Sequence, residues 1–307
     1  LSIGVLFATI FSNASFAASS SATADATATP AGTANQTTTV DQVLDKITPD
    51  EPSAVQQKLE QQKEVKENSF AIALFRPTYV LPFYYTGSPY QLPDTPDNQR
   101  VMSSELKAQL SLALPLAHFW QEKASVNIAY TQVSYWQVYA KSQYFRETNY
   151  EPELFFSYNF HRNWLANIGL DHQSNGKGGD EERSWNRAYL DLGLSGEKWS
   201  VSIKPWLLIF QGDSITEHNP DIADYLGHER MLFAYKPWGE QVVSLSLRNT
   251  IDSGFRRGAE ELTWSIPLGK TRFRFYVDLF SGYGQSLIEY NHYTNAAGVG
   301  FALNDWI

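Results

Sequence analysis

The chain has 307 residues, 14% of them aromatic and 19% charged, with a formal net charge of −9 and no cysteine. The acidic balance supplies no basic stripe for phosphates and argues against nucleic acid as a partner. The lack of cysteine rules out a disulfide framework or a thiolate metal site, and a mean hydropathy of −0.35 excludes a bundle of membrane helices.

The only long apolar run opens the chain: "LSIGVLFATIFSNASFAAS". An apolar stretch followed by the small residues Ser15 and Ala17 reads as a signal peptide over residues 1–17, without its basic start. A membrane anchor is the competing reading, but the run is short and no stop-transfer flank follows. Residues 18–68 pass from Ala, Ser and Thr to Gln and charge. Such composition buries too little apolar surface to offset ordering entropy, so the span is expected to be a disordered, low-complexity periplasmic tail. A weak helix fits between 41 and 67, but its apolar spacing makes no continuous stripe.

From Phe70 onward the pattern changes to period two, which sets residues 69–307 apart as one domain. Leu106, Ala108, Leu110, Leu112 and Leu114 alternate with Lys107, Gln109 and Ser111. Val201, Ile203, Leu207 and Ile209 alternate with Ser200, Ser202 and Lys204. Phe273, Phe275, Val277 and Leu279 alternate with Arg272, Arg274 and Asp278. Strict alternation of this kind gives a strand two unlike faces. About twelve such strands are expected, roughly 78–86, 105–114, 125–138, 150–158, 164–174, 186–195, 199–209, 227–236, 241–250, 258–266, 272–282 and 296–307.

A soluble sandwich also alternates. Here the strands are long enough to cross a bilayer when tilted, Tyr and Trp gather near their ends, and export is already implied. The fold class is therefore an all-β, 12-stranded antiparallel transmembrane β-barrel. Connections after strands 1, 3, 5, 7 and 11 are long; those after 4, 6, 8 and 10 are short; those after 2 and 9 are intermediate. Long loops on one rim and short turns on the other place the loop after strand 5 outside the cell.

That loop belongs to "GLDHQSNGKGGDEERSWNRAYLDL", residues 169–192. Strand 5 carries Trp164, Ala166, Ile168 and Leu170 on its apolar face, and the same parity continues to His172 and Ser174. Strand 6 carries Ala188, Leu190, Leu192 and Leu194 on its apolar face, and counting back by two reaches Asn186. Three polar residues thus share the lipid-facing side of one hairpin. Directly opposed residues lie about 4.5–5.5 Å apart, so His172 and Asn186 can bond. Ser174, His172 and an Asn186 carbonyl would make a nucleophile, a base and a holder for the base. The alternative is three headgroup-level polar residues. Gly176, Gly178 and Gly179 allow backbone amides to turn toward an oxyanion. Asp180, Glu181 and Glu182 offer hard oxygens suited to Ca²⁺, or else form a solvated acidic loop.

These residues, with "FRETNYEPE" (145–153), "KPW" (204–206), "NPDI" (219–222), "SGYGQSLIEYN" (281–291) and "GVGFALND", resemble the outer membrane phospholipase A family of Gram-negative bacteria. The resemblance runs from about Phe70 to the C-terminus. It implies a calcium-dependent serine hydrolase of the outer membrane that cleaves acyl esters of phospholipids and lysophospholipids and is active as a homodimer. The catalytic positions carried over are Ser174, His172 and Asn186, with the Gly176 amide at the oxyanion. Calcium would be held by the Lys177 carbonyl, by Glu182 and by Ser142 of a partner subunit. The family pattern differs at three places: Lys177 stands for Arg, Glu182 for a shorter side chain, and the loop before "FRETNYEP" is shorter. The chain ends in Trp306 and Ile307 where the family has a terminal Phe. Leu110, Leu112 and Gln132 have outward parity and are the expected dimer-facing residues. An amide placed in hydrocarbon needs a partner group, which makes Gln132 the sharpest of the three. The runner-up function is a passive porin-like channel, against which the inward charges Asp191, Lys204, Arg248, Arg274 and Asp278 weigh because they suggest a filled lumen.

Overall fold

A computed structural model of the chain describes residues 39–50, 53, 72–121, 123–249, 251, 253–254 and 256–307. The signal-peptide expectation and most of the tail lie outside the described residues. Within the 18–68 span, Val40–Ile47 forms a short α-helix.

One antiparallel sheet organises the rest. Its barrel strands are β1 (Tyr79–Thr86), β2 (Ser104–Phe119), β3 (Ala124–Trp136), β4 (Phe145–His161), β5 (Trp164–Ser174) and β6 (Ser184–Ser195). They continue as β7 (Trp199–Leu208), β8 (Glu229–Tyr235), β9 (Val242–Arg248), β10 (Ala259–Pro267), β11 (Arg274–Tyr283) and β12 (Tyr293–Ala302). A two-residue piece, Ala73–Leu74, extends the edge of β2 beyond its pairing with β1. Each strand pairs with the next, and β12 pairs with β1 from Ala296↔Thr86 to Ala302↔Tyr79, which closes the barrel. Closure leaves no unpaired edge, the condition for a sheet to sit in hydrocarbon.

The alternation expected from sequence decides which way each residue faces. Lys107 and Asp278 point inward and are 4% and 0% exposed, while Leu110, Ile168 and Leu207 point outward and are 44%, 60% and 71% exposed. Aromatics band the outer surface at both rims. Phe83 stacks on Tyr139 and Trp136 on Phe145 at one end; Trp120, Phe156, Tyr158, Phe160 and Trp164 make a chain of ring contacts at the other. Such girdles mark the two membrane interfaces.

Several strand bounds differ from the sequence expectation. Strand β2 runs on to Phe119, past a bulge at Pro115, so the next connection shrinks to 120–123. Strand β4 starts earlier, at Phe145, and carries Pro152 inside it. Both prolines lack an N–H for the ladder, yet the strands run through them. With these bounds the rims separate cleanly. Connections 87–103, 137–144, 175–183, 209–228, 249–258 and 284–292 are long; 120–123, 162–163, 196–198, 236–241 and 268–273 are short. The last strand ends at Ala302 rather than 307, because residues beyond it turn into the barrel mouth. There Asp305 pairs with Arg274 at 2.8 Å, Asn304 donates to the Arg76 carbonyl, and Ile307 packs with Ala234 and Val242.

The lumen is solid with ion pairs. Arg187 Nε donates to Asp171 Oδ1 at 2.6 Å, and Lys204 Nζ lies 3.2 Å from Asp171 Oδ2. Arg187 also reaches Glu151 at 3.0 Å, and Arg76 bonds both Glu151 and Glu153. Arg146 bridges Glu105 and Glu289, and Lys107 bridges Asp278 and Glu261. Above them, Ile222 and Leu226 from connection 209–228 and Leu287 and Tyr290 from 284–292 pack on Trp185 and Trp206. Of the inward charges named from sequence, Lys204 and Asp278 belong to these clusters, Arg274 pairs with Asp305, and Arg248 donates to the Tyr283 and Gly284 carbonyls, so among the described residues they crowd the interior. Asp171→Ala strips the shared carboxylate from two buried cations, and we expect it to cost about 3–5 kcal/mol. Urea unfolding of the refolded barrel in lipid vesicles, wild type against variant, measures it.

Candidate active site

The site lies on the outside of the β5–β6 hairpin, at the rim with long loops. Register pairs His172 with Asn186 and Ser174 with Ser184. The inward neighbours fix the parity: Asp171 takes the Arg187 ion pair, and Gln173 accepts a hydrogen bond from Trp185 Nε1 at 2.8 Å. Side chains 172, 174 and 186 must then face out. The ring of His172 meets Asn186 as the sequence implied, with Nδ1 2.7 Å from Oδ1.

The amide of Asn186 cannot turn over. Its Nδ2 donates to the Phe210 carbonyl at 3.0 Å, which leaves Oδ1 to accept from the ring. Nδ1 therefore carries the proton and Nε2 presents a lone pair. The Asn186 backbone is pinned as well, its carbonyl accepting from Ile209 N at 3.0 Å and from Gln211 Nε2 at 2.8 Å. Phe210 sits between these two residues with φ 47, an uncommon backbone for a residue with a Cβ. Sequence reasoning missed Phe210 and Gln211, because a contact from a loop some twenty residues downstream leaves no periodic trace. Neither the Ser174 hydroxyl nor His172 Nε2 has a hydrogen-bond partner among the described residues.

A groove of about 720 Å³ opens beside the dyad on the lipid face. Its lining runs over Leu112, Leu114, Ile128, Leu154 and Leu170 to His172, Asn186 and Phe210. The apolar surface ends where the imidazole begins.

Connection 175–183 folds back on itself. Buried Asn175 closes it: Nδ2 donates to the Glu181 carbonyl at 2.8 Å, and Oδ1 accepts from Lys177 N and Arg183 N. Gly176 takes φ 64, and a Cβ there would stand 2.9 Å from the Tyr150 ring. The Lys177 ammonium is held at 2.7 Å by Glu181 and lies 3.7 Å from Glu147, so only its carbonyl is free to face a ligand. Asn175 and Glu147 are further residues that the sequence reading did not single out.

Hard oxygens suited to a divalent cation gather on this loop. Glu181 Oε1 is buried with no hydrogen-bond partner, and half-buried Glu182 follows it. That donor set fits calcium. A second carboxylate group, Glu151, Glu153 and Asp171, lies close enough together to hold a metal. Its oxygens are already taken by Arg76, Arg187 and Lys204, so it is a salt-bridge cluster. Ser142 stands apart, on connection 137–144, where its hydroxyl donates to Asp97.

Leu110 and Gln132 are opposed across β2 and β3, and Leu112 stands opposite Tyr130 on the same outer face. Gln132 is not short of partners within the chain. Tyr130 Oη donates to its Oε1 at 2.8 Å, and its Nε2 donates to Ser134 Oγ at 3.1 Å. The unsatisfied-amide argument for Gln132 therefore fails, since a ladder along β3 supplies what a neighbour was expected to supply.

Closed barrel, filled lumen and an outward histidine–asparagine pair over an apolar groove define a membrane hydrolase whose site opens to lipid. The chain belongs to the phospholipase A1 family, whose model matches residues 55–303. It is 39% identical to the phospholipase A1 of Klebsiella pneumoniae over 224 residues, 69% of this chain and 74% of the relative. Among solved structures, the outer membrane phospholipase of Salmonella typhi, a dimer with bound calcium, superposes with a TM-score of 0.70 at 33% identity, covering 79% of this chain and 96% of that one. An active-site asparagine-to-alanine mutant of the Escherichia coli outer membrane phospholipase A superposes at 0.68 with 34% identity, covering 78% and 94%.

Gln211→Ala removes one of the two hydrogen bonds to the Asn186 carbonyl, leaving that from Ile209 N, and touches neither His172 nor Ser174. We expect the rate of ester cleavage to fall about 10-fold with little change in KM, by analogy with outer-shell partners of catalytic histidines. Steady-state kinetics on a short-chain ester in micelles reads it.

Proposed function

We propose that this chain hydrolyses acyl esters of phospholipids at the outer leaflet, with Ser174 as nucleophile, His172 as base and Asn186 as holder of the base. One observation carries the reading. The His172–Asn186 bond of 2.7 Å lies on the lipid-facing side, against a groove lined with aliphatic side chains. A water-soluble substrate would gain nothing from that position, whereas a bilayer lipid already has its acyl chain there.

The chemistry follows from the fixed tautomer. The Nε2 lone pair takes the Ser174 Oγ proton as oxygen attacks the ester carbonyl. The same proton then leaves with the lysolipid alkoxide, and an acyl-serine remains. Water then gives a proton to Nε2 as its oxygen attacks the acyl carbon, and that proton passes to the Ser174 oxygen as the fatty acid leaves. Through both steps the imidazolium keeps its Nδ1–H on the Asn186 oxygen. A neutral amide stabilises that cation less than a carboxylate would, yet it costs less to keep beside hydrocarbon. The active site of the E. coli relative also includes an asparagine.

In this reading the Gly176 amide supports the oxyanion, on a residue that holds left-handed backbone, φ 64. Calcium would be held by the Lys177 carbonyl and Glu182, with Ser142 from a partner subunit; when bound it supplies Lewis-acid polarisation of the ester carbonyl. The calcium-bound dimer of the S. typhi relative supports both the ion and the second subunit. Leu110, Leu112 and Gln132 lie on the same lipid-facing side as the site and are the dimer-facing residues of this reading. Gln132 retains an N–H and a lone pair for a symmetry mate beyond its bonds within the chain.

Ser174→Ala in the refolded barrel is expected to lower fatty-acid release from mixed phospholipid micelles by at least about 10³-fold, with urea stability unchanged. A chelator should silence the wild type to a similar extent. Equal release from both proteins in calcium would end the assignment.

A further inference from the structure

Ser142 is held by a neighbouring connection. Connection 87–103 crosses the outer rim to meet connection 137–144. There Gln99 Nε2 donates to the Ser142 carbonyl, and Ser142 N donates to Gln99 Oε1 at 3.3 Å. The Ser142 hydroxyl donates to the Asp97 carboxylate. Asp97 and Asn98 hold left-handed backbone, φ 55 and 52, in a turn where Thr95 Oγ1 donates to the Gln99 carbonyl and Gln99 N donates to the Pro96 carbonyl at 3.3 Å. Backbone of this kind in residues with a Cβ persists only where its surroundings demand it. What this turn achieves is to bring one carboxylate onto one hydroxyl at an exposed rim.

A hydroxyl that donates its proton still has two lone pairs. With the proton on Asp97, those lone pairs face away from the turn, and the oxygen becomes a richer donor for a hard cation. Ligands to metals are commonly oriented in this way by an outer partner. We propose that Asp97 is a positioning residue for calcium: it aims the Ser142 oxygen at the ion bound by a second copy of this chain. This rests on the reading of Ser142 as a calcium ligand across the dimer.

The test is chemical crosslinking of the full, refolded chain in detergent micelles over a calcium series, for wild type, Asp97→Ala, Ser142→Ala and the double variant. The readout is the calcium concentration at half-maximal dimer. Asp97→Ala should raise it about tenfold, and the double variant should match Ser142→Ala alone, because Asp97 acts through Ser142. Should Asp97→Ala not fold, Asp97→Gly replaces it, since Gly accepts left-handed backbone and removes the acceptor. An unmoved midpoint in the Asp97 variant beside a raised one in Ser142→Ala overturns the proposal and leaves the Ser142 reading standing. An unmoved midpoint in Ser142→Ala overturns that reading and the proposal with it. Additive shifts in the double variant overturn positioning through Ser142.

Discussion

Two neighbouring rungs of one ladder carry this structure. On the inner side Asp171 faces Arg187, joined by a 2.6 Å ion pair. On the outer side, one residue along each strand, His172 faces Asn186 at 2.7 Å. A slip of one residue would put Asp171 and Arg187 into hydrocarbon and the dyad into the lumen, and both exchanges are prohibitive. The buried charge pair thus fixes the register that the chemistry needs. It also explains why a stretch rich in polar residues can hold a lipid-facing site: Asp171, Gln173, Trp185 and Arg187 are paired with one another or with the lumen, so the outward residues are set by parity.

The same division governs the rest of the barrel. "FRETNYEPE" reads at first as a run of loop-like charges, yet Arg146, Glu147, Asn149, Glu151 and Glu153 all point into the lumen. There they meet Arg76, Arg187 and Lys204 from other strands, and Glu289 from the rim. Asn219 of "NPDI" pairs with both backbone groups of Ser184 and so anchors connection 209–228 at the head of β6. Much of the sequence that resembles the family therefore builds the scaffold behind the candidate site, while the hairpin places His172 and Asn186 on the groove.

Period-two patterning made the barrel, its handed faces and the outward trio of 172, 174 and 186 legible, since parity is a local property that survives in the sequence. Where a residue breaks the pattern the reading weakened. The bulge that carries β2 past Pro115 to Phe119 and the early start of β4 at Phe145 were not foreseen. Contacts between distant loops were invisible altogether. Phe210 and Gln211 fix Asn186 through backbone geometry, Asn175 closes the loop after Ser174, and Asp97 meets Ser142 across two connections. None of these has a spacing to count. Gln132 was read correctly for its face and incorrectly for its needs, because its partners stand two residues away on either side of it, along the same strand.

The groove beside His172 faces sideways, and this sets how the protein meets what it acts on. Molecules reach it by diffusing in two dimensions, so the governing concentration is a mole fraction in the surrounding monolayer and is indifferent to the bulk volume. A tightly ordered monolayer would seldom lend a chain to the 720 Å³ recess, whereas a disturbed one, with loosened and tilted tails, would do so readily. Through that geometry alone the barrel's turnover becomes a gauge of disorder in the sheet of lipid around it.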